Sequence, residues 1–216
     1  GRSEAAFFKM INEQGGINGR KINFISYDDA YSPPKAIEQA RKLVESDEVL
    51  LIFQSLGTPS NSAIMKYMNA KKVPQLFVAS GGTKFGDPKN FPWTMGWQPN
   101  YQSETIIYAK YILKNKPDAK IAVLYQNDDY GKDYLKGFKD GLGAKGASLI
   151  VAEDTYEVTE RGSIPTDAMR GGVDVAARIC DLASSLVASH PQVAGVAVAS
   201  AGVVGVALGF GAGLLG

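Results

Sequence analysis

The chain has 216 residues, with 23 basic and 22 acidic side chains and a formal net charge of +1. That length allows one large domain or two small α/β units with real cores, and charges so evenly interspersed exclude the basic face that nucleic acid or an anionic membrane surface demands. Cys180 is the single cysteine and His190 the single histidine, which excludes an internal disulfide and a Cys/His zinc cluster; no metal and no cofactor is expected. The opening Gly1-Arg2-Ser3-Glu4 lacks the apolar core of a signal peptide, so any such signal is expected to have been removed or to lie upstream.

From residue 4 to 153, helix-period segments alternate with strand-like ones at βαβ spacing, which predicts parallel sheets. Ala5, Phe8 and Ile11 share a helical face, and Gly15-Gly16 ends that helix before the turn Asn18-Gly19 and a strand from Ile22 to Tyr27. Ser32-Pro33-Pro34 opens a second helix with an apolar stripe of Ala36, Ile37, Ala40, Leu43 and Val44, and a strand from Val49 to Phe53 follows. Loop 54–58 leads to a helix starting near Pro59, and the strand Gln75 to Val78 ends in Ala79-Ser80-Gly81-Gly82-Thr83. Residues 87–99, rich in proline and aromatics, read as a crossover connection. Beyond it come a helix from Tyr101 to Leu113, a strand from Lys120 to Tyr125, a loop at 126–131, a helix from Lys132 to Leu142 and a strand from Ser148 to Glu153.

In open parallel sheets ligands bind beyond the carboxyl ends of strands, where loops offer backbone N–H groups and helix N-termini that favour anions. Loops 54–58, 79–83 and 126–131 hold those positions. A carboxylate can accept from the N–H groups of Gly57 and Thr58 and from the Thr58 hydroxyl, while carbonyls near Ala79 can accept from an ammonium group. The plainer reading gives Gly57, Gly81 and Gly82 to tight turns and Thr58 to a helix cap. Asp28-Asp29 and Asp128-Asp129 read as caps or solvated acids rather than catalytic pairs. Trp93, Trp97 and Tyr101 read as packing residues beside the crossover.

The stretch Ile11-Asn12-Glu13-Gln14-Gly15-Gly16-Ile17-Asn18-Gly19-Arg20-Lys21-Ile22 resembles the early region of the leucine/isoleucine/valine-binding family of periplasmic solute-binding proteins. So do Tyr27-Asp28-Asp29, Pro33-Pro34-Lys35-Ala36, the run from Val73 to Gly81, and Asp128-Asp129-Tyr130-Gly131, and the likeness spans about residues 4–158 in order. The resemblance implies a type I periplasmic-binding-protein-like α/β fold, truncated, whose two Rossmann-like lobes close over an amino acid or similar small carboxylate by hinge motion. It also implies delivery to an ABC permease in the membrane, a periplasmic or extracytoplasmic location, and no enzymatic activity. By position it makes Gly57 and Thr58 holders of the ligand carboxylate, and Ala79, Ser80 and Gly81 part of the segment that meets the α-carboxylate and α-amino groups. It makes Tyr130 the tyrosine that closes from the second lobe. Many relatives carry a hydroxyl residue where this chain has Gly81.

On that resemblance residues 1–98 form a first lobe lacking its first strand, residues 99–160 begin the second lobe, and 161–216 is a tail of different origin. The texture turns to Ala/Val/Gly around Arg161-Gly162-Ser163. A helix from Val173 to Ser189 is expected there, followed by an uncharged run from Val193 to Gly216. From Ser163 to about Val204 the tail resembles an early domain of ROK-family sugar kinases, without that fold's phosphate loop or catalytic aspartate, so phosphoryl transfer is not expected. A non-functional fragment or chimera with a sugar-kinase-like tail is the alternative reading of the chain. A membrane helix over Val193–Gly216, with Gly205 and Gly209 at GxxxG spacing, ranks behind a buried strand and turn.

Overall fold

The computed structural model describes residues 1–156, 181, 183–185, 187–192 and 195–199. Two parallel three-stranded sheets organise these residues. The first has the order β1 (Ile52–Phe53), β2 (Gln75–Val78), β3 (Thr94–Gly96). The helices α2 (Pro33–Arg41) and α3 (Thr58–Lys71) lie on one of its faces, and a core of Ala36, Ala40, Ile52, Ile64 and Met68 joins them to β1. Pro33 and Pro34 start α2 where their missing N–H groups cost nothing. On the other face, α1 (Arg2–Glu13) rests Phe8 on Phe53, and a ladder of edge-on rings continues through Phe77 to Trp97 at 5.7, 5.7 and 5.5 Å between centroids.

The second sheet centres on β4 (Ile121–Gln126), flanked by β5 (Ile150–Tyr156) and β6 (Gly195–Ala199). A strand paired on both sides and covered on both faces should be apolar throughout, and Ile121, Ala122, Val123 and Leu124 are all buried. The helices α4 (Tyr101–Asn115) and α5 (Asp129–Leu142) pack beside it around Ala109, Ile121, Val123, Phe138 and Leu142. Gly137 sets how close they come. A Cβ there would lie 2.3 Å from Thr105 Oγ1 and 2.4 Å from Gln102 Cα.

The strand Gln75 to Val78 and the helix starts at Tyr101 and after Gly57 fall where the sequence places them. Four expectations are corrected. Residues 22–27 join no ladder among the described residues; instead the Asn12 side chain accepts from the Ile22 N–H and donates to the Ile22 carbonyl, each at 2.7 Å. The strand expected from Val49 shrinks to Ile52–Phe53. The connection 87–99 contains β3, whose three residues are too few to show a period. The helix expected from Lys132 begins at Asp129, because the Asp128 carboxylate accepts from the N–H groups of Tyr130 and Gly131 and starts it one turn earlier.

β6 pairs in parallel with β4 from Ile121↔Gly195 to Tyr125↔Ala199. The segment expected to be foreign therefore supplies a strand to the same sheet as β4 and β5, and residues 195–199 are not helical. Among the described residues no helix is long and apolar enough to cross a membrane. The boundary expected at Arg161-Gly162-Ser163, the first part of the Val173–Ser189 helix, Cys180 and residues 200–216 lie outside the described residues.

Candidate ligand site at the strand ends

The loops that follow β1 and β2 are joined to each other. Leu56 and Ala79 form a parallel bridge, in which the Ala79 N–H donates to the Ser55 carbonyl (3.0 Å) and the Gly57 N–H donates to the Ala79 carbonyl (3.3 Å). The Gly57 N–H and the Ala79 carbonyl, both candidates for direct ligand contact, are thus engaged with one another. Gly57 has φ 98°, where a side chain is strained, and a Cβ there would lie 2.4 Å from the Tyr31 ring. Thr58 is the first residue of α3. Its N–H and that of Ser60 have no helical carbonyl to reach, Pro59 has no N–H, and the positive end of the helix dipole lies there.

Thr58 and Ser80 are 2% and 1% exposed, and their hydroxyl oxygens are 2.7 Å apart. The Ser80 Oγ also accepts from the Gly82 N–H at 3.0 Å. If the Ser80 proton goes to Thr58, each buried oxygen has a donor and the Thr58 proton is left for an acceptor outside the pair. With the protons in that order, one hydroxyl donor stands at a helix N-terminus, the arrangement suited to a carboxylate oxygen.

The second sheet's contribution comes from α5. Tyr130 lies in the first turn of α5, buried, with its ring edge-on to Tyr101 at 4.9 Å and near Tyr134 at 5.1 Å. Tyr101 in turn donates its N–H to the Gly81 carbonyl (2.8 Å), and its ring lies so close to Gly81 that a Cβ would approach it to 2.7 Å. The absence of a side chain at Gly81 is therefore what admits the Tyr101 ring. Through these contacts all six candidates, Gly57, Thr58, Ala79, Ser80, Gly81 and Tyr130, meet in one region where the three strand-end loops converge. Tyr134 and Tyr108 both donate to Glu104. Burial, reinforced by that bond, holds Tyr134 far above the usual phenol range and pushes Tyr108 up to about 12, so these phenols stay neutral.

Two polar links tie α5 to the segment after Ser80. Asp133 accepts from the Thr83 N–H and from the Gln102 side chain, each at 2.6 Å, and Lys84 pairs with Asp129 at 2.8 Å. Asp28 and Asp29 each accept from an N–H two residues on, and Asp128 caps α5, so these acids serve turns and caps as expected. Trp97, just past β3, is 61% exposed and sets its ring edge-on to Phe77. Sequence reasoning passed over Tyr31 and Asp133 and set Tyr101 aside. Their one signal is position: Tyr31 directly follows the acidic turn, and Asp133 stands one helical turn beyond Tyr130.

Two parallel α/β sheets whose strand-end loops converge, with one helix N-terminus and a cluster of aromatic rings at the meeting point, define a two-part α/β binding protein of the periplasmic type. The chain belongs to the periplasmic binding protein family, whose model matches residues 2–214. That match runs through β6 and on to residue 214, and it leaves the sugar-kinase-like origin of the tail without support. A leucine-specific-binding protein of Salmonella typhimurium is 27% identical over 143 residues, which are 66% of this chain and 38% of the relative. The chain therefore spans well under half the length of that relative. A periplasmic binding protein from Burkholderia mallei superposes with TM-score 0.69 at 16% identity, over 94% of this chain and 49% of that one. An ABC transporter solute binding protein from Rhodopseudomonas palustris, solved with 3,4-dihydroxybenzoic acid, superposes with TM-score 0.60 at 24% identity, over 73% of this chain and 42% of that one.

Proposed function

We propose that this chain is the ligand-capturing part of an extracytoplasmic solute-binding protein, holding an amino acid or similar small carboxylate between two lobes for an ABC permease. The observation that carries the reading is the buried Thr58 and Ser80 hydroxyl pair, 2.7 Å apart beside the α3 N-terminus, with Ser80 also accepting from the Gly82 N–H. In this account residues 1–98 form the first lobe and residues 99–160 begin the second, to which β6 adds a strand. Thr58 donates to the carboxylate through its N–H and hydroxyl, and Ser80 orients that hydroxyl. Gly57 and Gly81 make room for Tyr31 and Tyr101, Ala79 ties the two loops together, and Tyr130 presents an aromatic wall from the opposite side. The Salmonella relative is leucine-specific and the Rhodopseudomonas one was solved with an aromatic acid, so both ligand types share the carboxylate that this clamp suits.

The test is a thermal-shift panel of amino acids and benzoic acids against the purified chain. A ligand that binds the folded state alone raises Tm with its concentration. The proposal expects such a rise with leucine or 3,4-dihydroxybenzoic acid and none with their carboxylate-free analogues, isoamylamine and catechol. Equal shifts with and without the carboxylate would remove the clamp from the account.

A further inference from the structure

Behind loop 54–58 lies a row of polar side chains where the interior of an α/β layer would ordinarily be apolar. Asn61, in the first turns of α3, is fully buried at 0% exposure and uses its whole hydrogen-bonding capacity. Its Nδ2 donates to the Ser55 carbonyl (2.9 Å) and to the Gly57 carbonyl (2.7 Å), while its Oδ1 accepts from the Ser55 hydroxyl and from Gln75 Nε2 (2.7 Å). The row continues into the sheet. Thr94 Oγ1 donates to Gln75 Oε1 (3.2 Å), and Asn69 donates to Thr94 (2.8 Å) and accepts from the Trp93 N–H (2.9 Å). Gln75 opens β2, Thr94 opens β3, and the two are partners in the ladder.

The loop that Asn61 holds has reason to need holding. Gln54 sits at φ 52° and Gly57 at φ 98°, so two of its residues occupy the left-handed side of the backbone map, the first without glycine's freedom. Asn61 grips the carbonyls on both sides of Leu56, which fixes the peptide planes leading into Thr58. The direction of the Thr58 N–H and the reach of its hydroxyl to Ser80 follow from those planes. A side chain that only filled space behind the loop would need none of these bonds, and burying an amide is tolerated only where every donor and acceptor is matched.

We infer that Asn61, braced by Ser55 and Gln75, is a positioning residue that pre-sets the Thr58 donors for the ligand carboxylate. The inference rests on the clamp proposed above and names the residue that makes its geometry rigid before ligand arrives. Preorganisation of this kind raises affinity because the loop loses less freedom on binding.

A double-mutant cycle read by calorimetry with leucine and with 3,4-dihydroxybenzoic acid tests it, using the full 216-residue chain. Asn61→Ala and Ser55→Ala are each made in the Thr58 protein and in Thr58→Ala, with folding checked by circular dichroism. If Asn61 acts through Thr58, Asn61→Ala weakens binding by about tenfold or more in the first background and by less than about threefold in the second, a coupling typical of groups in one network. Ser55→Ala, half-buried in the loop, gives the same pattern with a smaller factor and carries the test if Asn61→Ala fails to fold. Equal factors in the two backgrounds, or unchanged affinity in folded variants, would overturn the inference while leaving the clamp standing. No binding of either probe by the unmodified chain, or binding indifferent to Thr58→Ala, would instead strike the clamp itself and this inference with it.

Discussion

Asp133, on α5 beside the second sheet, accepts a hydrogen bond at 2.6 Å from the main-chain N–H of Thr83, which belongs to the segment leaving the first sheet. The same carboxylate accepts from Gln102 at 2.6 Å, so one side chain joins the two halves of the candidate site. Neighbouring Lys84 and Asp129 also pair across this boundary, but both are substantially exposed. The Thr83–Asp133 bond is itself exposed, so water screens it toward the lower end of the roughly 1.5–3 kcal/mol typical of a charged acceptor, still above the ~0.2–1 kcal/mol of an exposed ion pair. Asp133→Ala should therefore lower stability in urea more than Lys84→Gln, and the effect of Lys84→Gln should shrink further in high salt. The reverse ranking would show that the ion pair, not the main-chain bond, holds the halves together.

Gly137 should be intolerant of any side chain. Its missing Cβ would fall 2.4 Å from the Gln102 carbonyl and 2.3 Å from the Thr105 hydroxyl, and backbone cannot swing aside as a side-chain end can. Gly137→Ala removes a helix-unfavourable glycine and on propensity alone would stabilise α5 by about 1 kcal/mol. Overpacking wins here, with an expected net loss of about 1–3 kcal/mol from prying α4 and α5 apart. Tyr101 and Tyr130 ride on those two helices, so near-ultraviolet circular dichroism from tyrosine should fall as well. An alanine variant as stable as the parent would contradict the close approach.

Asp128 gives a prediction in pH. Burial raises its pKa above the ordinary 3.8, and the N–H groups of Gly131 and Tyr130 with the Gln126 amide only partly offset this. A carboxyl whose folded pKa is raised contributes stability that is present below the unfolded value and lost as pH climbs through the folded one. Asp128→Asn keeps a capping oxygen and buries no charge. Its stability relative to the parent should rise between pH 3.8 and neutrality, then level off. Urea midpoints of both proteins at acid and neutral pH check the sign, and a parent that gains on the variant as pH rises would refute it.

Most of the second sheet was legible because its elements carry their own signals. α4 begins just after Pro99-Asn100, β4 opens with the apolar run Ile121-Ala122-Val123-Leu124, and the acids Asp128-Asp129 stand where a cap is wanted. The first sheet was less so. Three-residue β3 and two-residue β1 are too short for any period to show, and residues 22–27 have strand composition without a ladder partner. The candidate site was legible as three strand-end loops, but not in its bonding. That Gly57 N–H is engaged by Ala79, that Gly81 admits Tyr101 and that Asn61 grips two carbonyls all depend on long-range pairing, which sequence spacing does not encode. The sequence pointed to the loop residues by their place at strand ends, and it gave no sign of the helix residue Asn61 behind them.

The central claim is that the Thr58 hydroxyl, oriented by Ser80, receives a ligand carboxylate. Calorimetry with leucine and 3,4-dihydroxybenzoic acid on the parent, Thr58→Ser and Thr58→Ala tests it most directly. The account predicts near-parent affinity for Thr58→Ser, which keeps the hydroxyl. It predicts a loss of about 1.5–3 kcal/mol for Thr58→Ala, the value of a hydrogen bond to a charged group. Affinity that survives Thr58→Ala intact, or that falls equally for serine and alanine, would contradict it.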